Sequence, residues 1–156
     1  MPSNHRVRTC LWFDKDGEAA ANAYVALIPN SEIEDVVRAQ PGGDAIVVNF
    51  TLGGAPFQIL NGGPHYKATP AASISVLTED QAETDRLWDA LIADGGEAGR
   101  CAWLEDRFGI SWQIVPKALA EMLGAKDRAA AGRAQAAMME MNKIEIATLE
   151  AAFAAS

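Results

Sequence analysis

The chain has 156 residues, 49% of them hydrophobic and 22% charged, which suits one ordinary domain or two small half-domains sharing a core. Its net charge of −8 argues against nucleic acid or an anionic membrane as the main partner, since either demands a basic surface. The opening MPSNHRVRTC lacks the apolar stretch of a secretory signal, and no run reaches the ~18 apolar residues of a membrane span, so a cytoplasmic location is expected.

Val7 to Phe13 reads as a first strand, and Asp14-Lys-Asp-Gly as a turn in which Asp16 is placed to cap a helix. The Ala-rich run Glu18 to Ile28 predicts that helix, stopped by Pro29. Ser31 and Glu34 have capping-box spacing, but Ile33, Val36 and Val37 favour a short, charged edge strand over 31–38. Ile46, Val48, Phe50 and Leu52 alternate along the next strand, and Gly53-Gly54 turns it into Ala55 to Leu60 as a hairpin. Asn61 to Pro70, with two glycines and two prolines, reads as the linker between halves.

Ala72 to Leu77 is the next predicted strand. Thr78 and Gln81 have the spacing of a capping box for a helix running to Asp94, with Leu87, Trp88, Leu91 and Ile92 on one face. Gly95-Gly96 ends it. Cys101 to Leu104 and Ile110 to Val115 read as the arms of a hairpin turning through Glu105 to Gly109. From Lys117 the chain is helical and Ala-rich, with breaks expected near Gly124 and at Gly132. Cys10 and Cys101 fall in strand-like segments and read as free, small buried hydrophobes.

The chain repeats itself. Ala23 to Ile28 matches Leu87 to Ile92 at an offset of 64, and Pro56 to Leu60 matches Ser111 to Val115 at an offset of 55. Each half therefore reads strand, helix, three strands, which predicts an α+β fold of two βαβββ units (5–63 and 71–116) with curved mixed sheets around a groove, and a helical tail over 117–156. Period-2 alternation puts Phe57, Ile59, Trp112 and Ile114 under the helices, and Gln58, Leu60, Gln113 and Val115 on the groove. Carrying the offset of 64 onto the first strands puts Thr9, Leu11, Ser73 and Ser75 on the groove, and Cys10 and Trp12 on the helix side. The groove set is thus Thr9, Gln58, Asn61, Ser73, Ser75, Trp103 and Gln113, with Trp103 placed to stack on a flat ligand.

This plan and three motifs resemble the PhnB-like branch of the vicinal oxygen chelate superfamily, which includes glyoxalases, extradiol dioxygenases and bleomycin- or fosfomycin-resistance proteins. The motifs are FTLGGAPFQILNGGP (50–64), DQAETDRLW (80–88) and WLEDRFGISWQIVP (103–116), and the tail MMEMNKIEI (138–146) is similar too. Together they span most of residues 5–150. The resemblance implies a glyoxalase/bleomycin-resistance fold, a homodimer and the description 3-demethylubiquinone 3-methyltransferase-like. The superfamily's metal enzymes carry ligands on the first and last strands of each unit, which here falls on Thr9, Gln58, Ser73 and Gln113. A quartet with neither imidazole nor carboxylate is a poor cage for a divalent ion. No cofactor and no tightly held metal are therefore expected, with weak binding of a divalent ion left open. The glycine pairs 53–54 and 62–63 sit in turns rather than in the strand-to-helix loop of a usual methyltransferase.

No catalytic residue is assigned. His65, beside the groove mouth, has the chemistry of a general base but no visible partner and reads as exposed; His5 reads as surface, or as reaching the groove if the first strand starts earlier. Trp12, Trp88 and Trp112 are assigned to the core, and Asp106 and Arg107 to a solvated turn. Met138, Met139 and Met141 suggest adaptable packing or a subunit contact. Two functions fit these residues: a module binding a small, partly apolar molecule, or an enzyme (lyase, isomerase, dioxygenase or group transfer) acting on a small oxygenated or quinone-like substrate.

Overall fold

A computed structural model describes residues 4–156. The chain falls into two compact units, one ending at Ala68 and one beginning at Thr69. In the first, β1 (Thr9–Phe13), α1 (Gly17–Leu27), β2 (Glu32–Arg38), β3 (Ala45–Leu52) and β4 (Ala55–Asn61) build a four-stranded sheet in the order β1-β4-β3-β2. The β1–β4 pair is parallel and the others antiparallel. In the second, β5 (Ser73–Thr78), α2 (Gln81–Ile92), β6 (Glu97–Ala98), β7 (Trp103–Glu105) and β8 (Ser111–Pro116) repeat the plan in the order β5-β8-β7-β6, again with one parallel pair, β5–β8. Helices α3 (Lys117–Leu123), α4 (Arg128–Met139) and α5 (Ile146–Ala154) complete the second unit.

Each sheet buries one face under its helix. Val48, Phe50 and Ile59 are buried beneath α1, whose inward residues Ala20, Ala21 and Tyr24 are small or flat enough to lie close to the strands. In the second unit Ile74, Leu104, Trp112 and Ile114 are buried with Leu87, Trp88 and Leu91 of α2. Trp88 and Trp112 are core residues, as their periodicity predicts. Fully burying such side chains stabilises by about 1.5–3 kcal/mol each before ordering costs.

The capping of both helices departs from expectation. Asp80, not Thr78, caps α2, its carboxylate accepting from Glu83 N at 2.9 Å. Thr78 ends β5 fully buried, 2.7 Å from the Thr84 hydroxyl. Because Thr84 spends its proton on Asp80 O, Thr78 is the donor of that pair. Asp16 stands at the start of α1 but its side chain makes no capping bond. The first free amide, Gly17 N, is instead satisfied by Asn61 Oδ1 at 2.9 Å, while Asn61 Nδ2 donates to Ala45 O.

The hairpin around residues 101–116 is more elaborate than two arms and a turn. Cys101 and Ala102 adopt left-handed φ values of 56° and 77°, so Cys101 lies in a turn and not in a strand. That turn is held by the tail: Cys101 N donates to Met141 O and Ala102 N to Asn142 O. Asp106, expected in solvent, is 4% exposed. Its Oδ1 accepts from Phe108 N and Ile110 N, and its Oδ2 from Trp112 Nε1 at 2.8 Å. Arg107 is exposed, its guanidinium 4.4 Å from the centre of the Phe108 ring.

The tail packs on its own small core of Ala102, Leu119, Ile144 and Leu149, with Met138 and Met141 against it. The expected break occurs between α3 and α4, but α4 runs through Gly132 without interruption. Gln81 pins the segment before α5: its Nε2 donates to Ile144 O and its Oε1 accepts from Ile146 N. Lys143 adds an ion pair to Asp85 at 2.9 Å, and that hydrogen bond holds the Asp85 carboxyl below its usual range. Among the described residues no helix is long and apolar enough to cross a membrane.

Candidate functional site

Register settles which residues share the open face of each sheet, opposite its helix. In the second unit Ser73 pairs with Ser111, Ser75 with Gln113 and Leu77 with Val115, while Trp103 lies across from Gln113. Ser73, Ser75, Trp103 and Gln113 therefore share one face. Gln113 Nε2 donates to Ser73 Oγ at 3.0 Å.

In the first unit Cys10 pairs with Gln58 and Trp12 with Leu60, and Asn49 lies opposite Gln58 on the other side. Gln58 Nε2 donates to Asn49 Oδ1 at 2.9 Å. The open face thus carries Cys10, Trp12, Asn49, Gln58 and Leu60. Thr9 pairs with Phe57 and Leu11 with Ile59, on the helix side. This reverses the expectation for β1, and the cause is a single residue. Three residues separate β1 from α1, but only two separate β5 from α2. The helices repeat at an offset of 64, whereas Cys10–Gln58 and Ser75–Gln113 are the equivalent strand pairs, so β1 to β5 is offset by 65. A one-residue slip moves every side chain of a strand to the other face.

Asn61 also leaves the groove set. It pairs with Phe13 on the helix side, and both ends of its amide are committed to backbone groups at the start of α1 and at Ala45. It lines instead a cleft of about 390 Å³ with Asp14, Lys15, Gln40 and Asp44. Trp12 is half-buried rather than core: its indole N–H donates to Gly63 O at 2.9 Å and Tyr66 meets it edge-on at 4.9 Å. A side chain at Gly62 would overlap the Trp12 ring, so that glycine lets the linker fold onto the tryptophan.

One end of the first unit's open face holds a polar cleft of about 300 Å³ lined by His5, Ser31, Glu32, Glu34 and Thr51 among others. Glu34 sits at the β2 bulge, ion-paired to Arg8, which also donates to Phe50 O and Phe57 O. His5 is exposed, as its surface assignment expects, with Nε2 3.8 Å from Glu34 Oε1. His65 is exposed in the linker.

The pairs at the two equivalent positions are therefore Cys10 with Gln58 and Ser75 with Gln113. Cys10 is exposed rather than buried, and the desolvation its side chain does feel pushes the thiol's pKa up. The first pair offers a thiol and an amide and the second a hydroxyl and an amide; amide and hydroxyl are weak, neutral ligands, and a thiol ionised by the metal is a single strong donor. Neither pair by itself fits a tightly held divalent ion, which wants three or four thiolate, imidazole or carboxylate donors. Among the described residues no three His, Cys, Asp or Glu side chains gather in a way that could hold a metal.

Comparison with known proteins agrees with this architecture. A fosfomycin resistance protein, FosX, from Listeria monocytogenes shares the fold at a TM-score of 0.55 and 20% identity, over 80% of this chain and all of that one. Protein PA1353 from Pseudomonas aeruginosa does so at 0.59 and 19%, over 72% and 98%. The duplicated βαβββ plan is that of the vicinal oxygen chelate superfamily. Within it, residues 5–115 match the family model of 3-demethylubiquinone-9 3-methyltransferase, and the chain belongs to that PhnB-like family. A PhnB protein from Bacillus cereus, described as a 3-demethylubiquinone-9 3-methyltransferase, is 29% identical over 72% of this chain and 99% of its own, with a TM-score of 0.65. No curated protein matches the chain. Helices α3 to α5 lie beyond the residues that the family model matches.

Proposed function

We propose that this protein binds a small, partly apolar molecule on the open faces of its sheets without a tightly held metal. The observation that carries this reading is the repeated pairing of a neutral donor set, Cys10 with Gln58 and Ser75 with Gln113, at equivalent registers of the two units. Around each glutamine the same face is apolar or aromatic: Trp12 and Leu60 in one unit, Trp103 and Leu77 in the other. Apolar walls with a few fixed polar groups are what small-molecule sites are made of. The family's description suggests a quinone-like ligand. A methyl-transfer step has no support from the glycine pairs: Gly53 and Gly54 form the β3–β4 turn with φ values of 56° and 84°, and Gly62 and Gly63 come directly after β4. Neither pair opens a helix, where a usual methyltransferase holds its cofactor. A cytoplasmic homodimer completes the reading.

The test is a thermal-shift screen of small aromatics, quinones and antibiotics against wild type and Gln113→Ala. A compound that raises the melting temperature of wild type, and loses that effect in Gln113→Ala, supports the proposal. A screen in which every shift survives both this substitution and Gln58→Ala removes it.

A further inference from the structure

The two glutamines are wired alike, and the wiring selects the polarity of what they meet. Gln58 gives an amide hydrogen to Asn49 Oδ1, and Gln113 gives one to Ser73 Oγ. Their Oε1 atoms accept no bond from any described residue. The neighbour in each unit, having accepted, keeps a hydrogen of its own to give: the Asn49 amide in one, the Ser73 hydroxyl in the other. Each open face therefore presents one acceptor beside one donor.

We propose that each acceptor–donor pair recognises a neutral hydroxyl group on an apolar, preferably aromatic, body. This rests on the small-molecule reading above and narrows it to a substrate class. A hydroxyl donates to Gln Oε1 while its oxygen accepts from Asn49 or Ser73, so both protein groups are satisfied at once. A carboxylate has no hydrogen for Oε1 and sets like charge density against it. An ether or ketone leaves the acceptor unpaired, and an ammonium leaves the donor unpaired. Leaving one partner of a desolvated pair unmet is what makes such sites discriminate.

Resorcinol, 1,3-dimethoxybenzene and benzoate separate these cases at similar size, measured by calorimetric titration of the full chain. Resorcinol is expected to bind about tenfold or more tighter than the other two, the worth of one well-made hydrogen bond. The double variant Gln58→Leu/Gln113→Leu is expected to erase that preference, while either single variant leaves it at the other unit's pair. Equal or tighter binding of the ether or of benzoate, still dependent on Gln58 or Gln113, overturns the hydroxyl assignment and leaves the small-molecule reading standing. Survival of the preference in Gln58→Leu/Gln113→Leu overturns the acceptor role of Oε1. Failure of all three compounds to bind wild type overturns both.

Discussion

Asp106 gives the sharpest test of how the second unit is held together. It is 4% exposed and accepts three hydrogen bonds, two from the turn amides Phe108 and Ile110 and one from the indole of Trp112, which is fully buried in β8. Asp106→Ala removes the acceptor that all three of these donors use. Each such donor costs about 1–3 kcal/mol when it cannot reach water. With at least the Ile110 and Trp112 donors buried, the loss comes to about 3–5 kcal/mol. For a chain of this length that is a fall in melting temperature of about 10 °C. Asp106→Asn keeps the shape but turns an amide NH₂ toward either the indole or the backbone donors, so it falls between, at about 1–3 kcal/mol. Urea unfolding followed by fluorescence gives the order wild type, Asn, Ala, with the midpoint falling and the slope unchanged. An Ala variant within about 1 kcal/mol of wild type would refute the claim that this carboxylate organises the hairpin.

Three other contacts give outcomes of their own. Gly17→Ala should destabilise by about 1–3 kcal/mol despite alanine's better helix propensity, because the new methyl would overlap Ile59 Cγ2 and the Asn61 amide oxygen; a stabilised variant in urea titration would contradict the packing. Gln81→Leu should speed hydrogen exchange at the Ile146 amide by at least about tenfold, since Gln81 Oε1 is its acceptor, and unchanged protection there would show that the tail is anchored otherwise. Lys143→Met should cost under about 1 kcal/mol, as the Asp85 pair is partly exposed. Lys143 lowers the Asp85 pKa, so this contribution is present above the unfolded value near about 4 and fades as pH falls through the lower folded one; a difference between the proteins that grows on acidification would reverse the sign.

The strands that alternate cleanly were readable in advance. β4 and β8 each set a glutamine between apolar residues that had to be buried, so their faces came from period two alone. β1 did not yield, because Thr9, Cys10, Leu11 and Trp12 offer no decisive polar–apolar alternation. The helix offset was carried onto it across a connection that is one residue longer. Cys10 was thereby missed at the position equivalent to Ser75, and only the β1–β4 register reveals it. Asp106 was misplaced because an acidic residue in a turn next to an arginine has the composition of a solvated loop; the signal was Trp112 six residues on, a buried indole that needed an acceptor. Asn61 looked like linker. Its partners are backbone groups at Gly17 and Ala45, far along the chain, and backbone needs leave no mark in a side-chain pattern.

The claim of a metal-free binding face is tested most directly by metal content. The purified chain should be dialysed against zinc, nickel, manganese and iron(II) in turn and then against metal-free buffer, and the retained ion counted by mass spectrometry. With at most one strong donor in either pair, far less than one ion per chain is predicted after dialysis. One ion retained per chain, and lost in Gln58→Ala or Gln113→Ala, would contradict it.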